Sequence, residues 1–342
     1  MIALRLHDKR DLRLHEEPVP TPGDDEVLVR VTAVGLCGSD LHWFHEGAIG
    51  DVVLTRPLVL GHEFVGVIET GARTGERVAL DPAIACGACA PCVAGHENLC
   101  VACRFAGNSV DGALRSRLAW PERLAHHLPD SLPDVEASLL EPLGVALHAL
   151  DLGHVRPGTT AGVYGCGPLG LLLVQLLLRA GVTVLVATDP LPHRVAAVKA
   201  LGATVAVETR RAGIEILPAA ASGGLDVAFE VAGEDDAIAT AIATLRPGGR
   251  LVLVGIPTND RSCFTASTAR RKGLTISLCR RMKPSDLPRA IDLAETGRIE
   301  LGGLVSERYS LADGPEAFAS LSERRGLKVV VEPQREDRRG AA

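Results

Sequence analysis

Six residues, Gly165-Cys166-Gly167-Pro168-Leu169-Gly170, constrain this chain more than any other stretch. They follow a short apolar run, Thr160 to Tyr164, that reads as a buried strand. They open a longer apolar run, Leu169 to Ala180, that reads as a helix ending at Gly181. The spacing is G-x-G-x-x-G. Between a strand and a helix each glycine has a physical task. The first permits a tight turn, the second lets backbone approach a pyrophosphate, and the third lets helix and strand pack closely. The helix N-terminus then offers free N–H groups and a partial positive charge to the phosphates. Gly165, Gly167, Pro168, Leu169 and Gly170 are therefore candidate cofactor contacts. After the next apolar run, Val182 to Thr188, comes Asp189, about 20 residues on, where a carboxylate meets the ribose of a dinucleotide.

Candidate strands and helices alternate around this motif. The order is strand 160–164, helix 168–180, strand 182–188, helix 191–201 and strand 203–207. A second set follows: strand 225–231, helix 235–245, the turn Arg246-Pro247-Gly248-Gly249 and strand 250–256. Alternation of this kind predicts the α/β class, with a doubly wound parallel sheet covered by helices on both faces, over residues 151–280. A chain of 342 residues exceeds one typical domain. Residues 1–150 form the expected first domain. It looks β-rich to about residue 80, with Pro18, Pro20 and Pro22 in a loop ahead of the valine-rich run Glu26 to Val31. A helical pattern covers Ser138 to Leu150. Residues 281–342 are expected to return to the first domain through a helix near 286–296 and a strand near Leu327 to Val331. The charged tail from Glu332 to Ala342 lacks apolar periodicity and is expected to fray.

Residues 82–104 have a different character. Pro82, Gly87, Pro91 and Gly95 argue against regular structure there, and Cys86, Cys89, Cys92 and Cys100 are spaced C-x2-C-x2-C-x7-C. Four thiolates surround one zinc tetrahedrally, and short spacings let a small loop supply all four. Four protein ligands leave no open position, so this zinc is expected to be structural. An iron–sulfur cluster fits the two-residue gaps as well, but nothing else in the chain speaks for electron transfer. The net charge of −6 gives no electrostatic case for nucleic acid binding. No uncharged apolar run reaches membrane-spanning length, and the N-terminus lacks the long apolar region of a signal peptide. A cytoplasmic protein is expected, with its nine cysteines as thiols or metal ligands rather than disulfides.

Cys37 and His62 are further candidate ligands that the cysteine loop does not need. Each lies beside a glycine, at a bend between strand-like runs, and sulfur and imidazole nitrogen both suit Zn2+. Glu63 and Glu141 are carboxylates that can join them. Three protein ligands would leave a fourth position for water or an alcohol, whose hydroxyl pKa the metal lowers.

The combination resembles the zinc-dependent medium-chain alcohol dehydrogenases, and most closely their polyol (sorbitol, xylitol, L-idonate) branch. The resemblance is carried by Gly35-Leu36-Cys37-Gly38-Ser39-Asp40-Leu41-His42, Gly61-His62-Glu63, the four-cysteine loop, Glu141-Pro142-Leu143 and the glycine motif. It covers Met1 to about Val331. It implies a GroES-like β-rich catalytic domain, a Rossmann domain, and two zinc ions per chain. One is the structural zinc on Cys86, Cys89, Cys92 and Cys100. The other is a catalytic zinc on Cys37, His62 and a glutamate, either Glu63 or Glu141. It further implies that Ser39 and His42 relay the substrate proton, and that an alcohol gives hydride to a nicotinamide. Val231, Val254, Gly255 and Ile256 resemble the family's nicotinamide-side contacts, and Arg280 falls where polyol dehydrogenases carry an arginine near substrate and cofactor.

Asp189 argues for NAD over NADP, since its carboxylate would repel a 2′-phosphate. Arg194, five residues on, runs the other way, because arginine can bind that phosphate or stack on adenine. The resemblance suggests a homodimer or homotetramer acting on a small-molecule alcohol or ketone. The competing readings are an L-threonine or short-chain alcohol dehydrogenase, or an inactive nucleotide-binding relative.

Overall fold

The computed structural model describes residues 1–209 and 223–335. The chain divides into two compact units. Unit 1 holds Met1–Glu141 and the chain from Lys283 onward; unit 2 is Pro142–Met282. The positions expected from the sequence pattern were 150/151 and 280/281. The helix Leu140–Gly153 runs across the first division.

Unit 1 is built on a seven-stranded sheet. Its central strand, β1 (Glu26–Gly35), alternates inward Val27, Val29 and Val31 with partly exposed neighbours, the period-2 pattern of a half-buried strand. A helix, α1 (Gly38–Glu46), follows it directly, and β2 (Glu63–Ile68) then pairs antiparallel with β1. The full order is Ala125–His127, Arg77–Leu80, β2, β1, Lys328–Glu332 and Val305–Ser310, with Arg117–Pro121 also paired to β1. The strand Lys328–Glu332 thus inserts beside the central strand. The core beneath includes Leu4, Leu6, Trp43, Phe64, Trp120 and Phe318. Each such side chain, fully buried, contributes about 1.5–3 kcal/mol.

Three features of unit 1 were not legible. The N-terminal hairpin Ile2–Asp8/Asp11–Glu16 is a strand pair. A single helical turn, Ala90–Val93, forms inside the cysteine loop, started by Pro91. The tail does not fray at once: Glu332 pairs with Arg308, and the Gln334 amide donates to the carbonyls of Val31 and Ser116 at 3.1 Å. The remainder of that expectation, residues 336–342, lies outside the described residues.

Unit 2 is a six-stranded parallel sheet. Its strands are β3 (Thr160–Tyr164), β4 (Val184–Asp189), β5 (Val205–Glu208), β6 (Leu225–Glu230), β7 (Leu245–Leu253) and β8 (Thr275–Leu278). The spatial order is β5-β4-β3-β6-β7-β8, all pairs parallel. This is the doubly wound order, with the reversal between β3 and β6 marking the crevice where ligands bind. Helices α2 (Pro168–Arg179), α3 (Pro192–Leu201) and α4 (Asp235–Thr244) match the expected crossovers. The helix α5 (Ala266–Lys272) and strand β8 were not foreseen. β8 is an edge strand of four residues with no fully buried member; Thr275-Ile276-Ser277-Leu278 alternates polar and apolar, but over a run too short to stand out. At the end of α5 the Lys272 ammonium donates to the carbonyls of Ile242, Ala243 and Leu245 at 2.6–2.8 Å, closing the C-terminus of α4. Among the described residues no helix is long and apolar enough to cross a membrane.

Candidate active site

The antiparallel register explains why Cys37 and His62, far apart in sequence, become neighbours. Gly35, the last residue of β1, pairs with Glu63, the first of β2. Cys37 follows β1 and His62 precedes β2, so both emerge at the same end of the strand pair. The ligand atoms of Cys37, His62 and Glu63 all lie within 4.8 Å of one another.

Asp40 ties the two segments together, and sequence reasoning missed it. It sits in the first turn of α1 and is 1% exposed. Its carboxylate accepts the Cys37 N–H at 2.9 Å and the Gly61 N–H at 3.3 Å, and lies 3.6 Å from His62 Nδ1. A carboxylate on Nδ1 leaves Nε2 as the metal-facing nitrogen and makes it a better ligand. Burial alone would push the His62 pKa down, but the Asp40 charge and hydrogen bond raise it well above the usual value. Burial likewise works against the Asp40 carboxylate, and His62 together with the two N–H donors holds its pKa below the ordinary range.

Glu63 has a second partner, Lys328, also missed. The two form a buried ion pair. Burial opposes the Lys328 charge, and Glu63, followed by Cys37, raises its pKa. The signal was a lone lysine heading an apolar strand, Lys328-Val329-Val330-Val331. Glu141 is buried and feels His62, Glu63 and Lys328, but it is not a member of the close ligand group. Burial is the main reason its pKa rises to about 7; the Glu63 charge adds to this, while His62 and Lys328 oppose it.

Ser39 Oγ lies 3.4 Å from His62 Nε2. His42 is three residues further along α1, on a neighbouring position of the same helix, with Nδ1 3.4 Å from Glu46. The Phe105 ring lies tilted against that of His62, with centroids 5.5 Å apart. Trp43, by contrast, belongs to the core, and Phe44 packs on Phe318.

The sulfurs of Cys86, Cys89, Cys92 and Cys100 lie within 4.8 Å of one another. Cys89 is 3.4 Å from Cys92 and 3.9 Å from Cys100. Four sulfurs at zinc bonding distance stand about 3.8 Å apart, so the cluster fits that ion. Cys103 is outside the group.

In unit 2 the glycine-rich turn leaves β3 at Gly165, whose φ of +104° excludes other residues without strain. A Cβ on Gly170 would lie 2.1 Å from the Gly165 carbonyl oxygen, so the third glycine is required by close packing. Gly167 caps α2 and Pro168 is its first residue. Asp189 ends β4. Its Oδ2 accepts the Cys166 N–H at 2.8 Å and its Oδ1 accepts the Leu191 N–H at 2.9 Å, so it also anchors the glycine turn. Arg194 Nη1 lies 3.7 Å from the same carboxylate. The Cys166 thiol, unassigned from sequence, is buried, and burial followed by the Asp189 charge pushes its pKa up. Val231 follows β6 and donates to the Tyr164 carbonyl at 2.8 Å; Val254, Gly255 and Ile256 follow β7; Arg280 follows β8. All stand at the C-terminal ends of the strands, where ligands of such sheets bind.

Residues 23–130 match the alcohol dehydrogenase GroES-like domain, and residues 168–296 match the zinc-binding dehydrogenase domain. The chain is 34% identical over 346 residues to the sorbitol dehydrogenase of Bacillus subtilis, covering 98% of each. Among solved structures it is similar to the L-idonate 5-dehydrogenase of Escherichia coli, with a TM-score of 0.89 and 27% identity over 97% of each chain. It is also similar to a dehydrogenase of Sinorhizobium meliloti bound to NADP, with a TM-score of 0.88 and 30% identity over 97% of this chain and 99% of that one. With both domain types present in order and relatives aligned along almost the whole chain, this protein is an oxidoreductase that belongs to the zinc-binding dehydrogenase family.

Proposed function

We propose that this chain catalyses the reversible oxidation of a polyol, or a related secondary alcohol, to the ketone, with NAD as the hydride acceptor. The observation that carries the reading is the convergence of Cys37, His62 and Glu63 within 4.8 Å in a buried setting, with Ser39 beside them. Thiolate, imidazole and carboxylate are a donor set that suits zinc and leaves one position open. When bound, zinc supplies a Lewis acid to the alcohol oxygen and nicotinamide supplies a hydride acceptor. The chain does the rest. Asp40 orients His62, and Lys328 fixes Glu63. Ser39 Oγ takes the alcohol proton as it hands its own on, and His42, whose imidazole can accept and release a proton, passes that proton toward solvent. Glu63 is the direct carboxylate ligand in this reading, and Glu141 is a nearby carboxyl that can exchange with it.

The substrate class rests on the sorbitol and L-idonate dehydrogenase relatives and on Arg280, a cation suited to polyhydroxy or acidic sugars. Asp189 supports NAD, since a carboxylate at the strand end repels a 2′-phosphate; the NADP-bound relative makes direct comparison of the two cofactors essential. The edge strand β8, with Leu278 75% exposed, supports a homodimer formed by strand addition, or a tetramer built from such dimers. The cysteine cluster suits a reducing, cytoplasmic setting.

The test is zinc content per chain together with NAD and NADP reduction on sorbitol, xylitol, L-threonine and 2-propanol. Polyol turnover with about two zinc ions per chain is expected. Threonine or 2-propanol turnover without polyol turnover would replace the substrate class. No turnover at full zinc occupancy would favour an inactive nucleotide-binding relative.

A further inference from the structure

Glu230, the last residue of β6, organises two of the loops at the C-terminal end of the unit 2 sheet. Its backbone carbonyl accepts the N–H groups of Val254 at 2.8 Å and Gly255 at 3.1 Å. Its side-chain Oε1 accepts those of Ala232 and Gly233 at 2.7 Å each and of Glu234 at 3.4 Å. The residue is 1% exposed. The turn it holds is wedged between its neighbours. A Cβ on Gly255 would lie 2.1 Å from Gly233 N, one on Gly233 would lie 2.3 Å from the Ile256 oxygen, and one on Gly165 would lie 2.8 Å from Ala232 N.

Successive N–H groups converging on one point form a nest for an anion. This nest lies directly ahead of α4, whose N-terminal partial charge adds to its pull. Among the described residues, unit 2 therefore has two amide clusters at the ligand-binding end of its sheet, the glycine-rich turn ahead of α2 and the turn 232–234 ahead of α4. Either one is chemically able to take a phosphate. The second already holds a carboxylate oxygen.

We infer that Glu230 is a positioning residue acting as a resident anion. It occupies the amide nest of residues 232–234, so that the dinucleotide's diphosphate is received by the glycine-rich turn alone. It also holds Val231 and Val254–Gly255 in register beside the nicotinamide. The inference rests on the reading of unit 2 as the NAD site. Burial raises the carboxyl's pKa and the three N–H donors oppose the rise, so binding is measured at pH 8.

The experiment titrates NADH into zinc-loaded full-length wild type, Glu230→Gln and Glu230→Ala by fluorescence, with melting temperature followed in the same samples, with and without sodium formate. Loss of charge-assisted hydrogen bonds of this kind predicts NADH binding weaker by about tenfold in Glu230→Ala. Formate, a small carboxylate that can enter the vacated nest, is expected to recover a large part of that loss, while sodium chloride at equal ionic strength does not. Glu230→Ala binding within about twofold of wild type overturns the inference, and so does weakened binding that formate leaves unchanged. Should Glu230→Ala not be recovered folded, Glu230→Gln decides alone: about tenfold weaker binding supports the inference, and binding within about twofold overturns it. Failure of the NAD reading itself shows differently, as a wild type that does not bind NADH.

Discussion

The Lys328 ammonium and the Glu63 carboxylate form an ion pair with side chains only 2% and 1% exposed. They come from strands that flank β1 on opposite sides, with Gly35 of β1 paired to Glu63 on one side and to Val330 on the other. A cation from the last of the described strands is thereby held against a candidate zinc ligand. Removing one partner of such a pair leaves an uncompensated buried charge. Lys328→Met is expected to lower unfolding free energy by about 3–5 kcal/mol. Urea denaturation of the chelator-treated protein checks this. A loss below about 1 kcal/mol would mean that Glu63 is neutralised by another group.

Cys37→Ser is expected to abolish alcohol oxidation while leaving NADH binding intact, because the thiolate and the glycine-rich turn belong to separate units. Zinc content should fall to about one ion per chain, the share of the cysteine lobe. Elemental analysis beside a fluorescence titration reads both. Wild-type turnover in this variant would remove Cys37 from the catalytic account.

Asp189 has two duties in the structure, reading ribose in the proposed function and accepting the Cys166 and Leu191 N–H groups. Asp189→Ala should therefore narrow the preference for NAD over NADP and also destabilise unit 2 by about 1–3 kcal/mol, the cost of buried donors left unpaired. Asp189→Asn keeps an acceptor and removes the charge that repels a 2′-phosphate, so it should shift cofactor preference with a smaller fall in melting temperature. The ratio of kcat/KM for the two cofactors decides; an unchanged ratio in both variants would show that Asp189 does not read the ribose.

Arg5 is gripped by Glu17 at 2.5 Å and Asp111 at 2.9 Å. The Arg5 hydrogen bond lowers the Glu17 pKa. Burial works against Asp111, but Arg5 and the Val59 N–H overcome it and lower that pKa too. Both groups thus bind protons less readily folded than unfolded. Their contribution is fully present above the unfolded values, about 4.3 and 3.9, and is lost as pH falls through the depressed folded ones. Melting temperature measured from pH 6 downward should therefore drop, and Asp111→Asn should flatten the drop. An unaltered acid limb in the variant would assign acid sensitivity to other carboxylates.

Local chemistry was legible because it is written at short range. The glycine turn with its strand and helix, and four cysteines within fifteen positions of Cys86, bring their groups together whatever the rest of the chain does. The doubly wound order could be anticipated because each crossover is a local strand–helix–strand unit. Asp40, Lys328 and Glu230 could not be picked out in the same way. A charged residue in a sequence is by default a solvated one, and only packing shows which charges are buried and what they face. Pairing register decided the rest. Gly35 opposite Glu63 brings Cys37 to His62, and a shift of one residue would turn Glu63 and its neighbours to the other face of the sheet. The sequence by itself determined the ligand types, the cofactor turn and the order of elements. Spacing alone did not join Cys37 to His62, which the family resemblance implied. Tertiary structure decided that Glu63 rather than Glu141 stands in their close group and that Lys328 faces it, because these contacts depend on strands distant in sequence lying side by side.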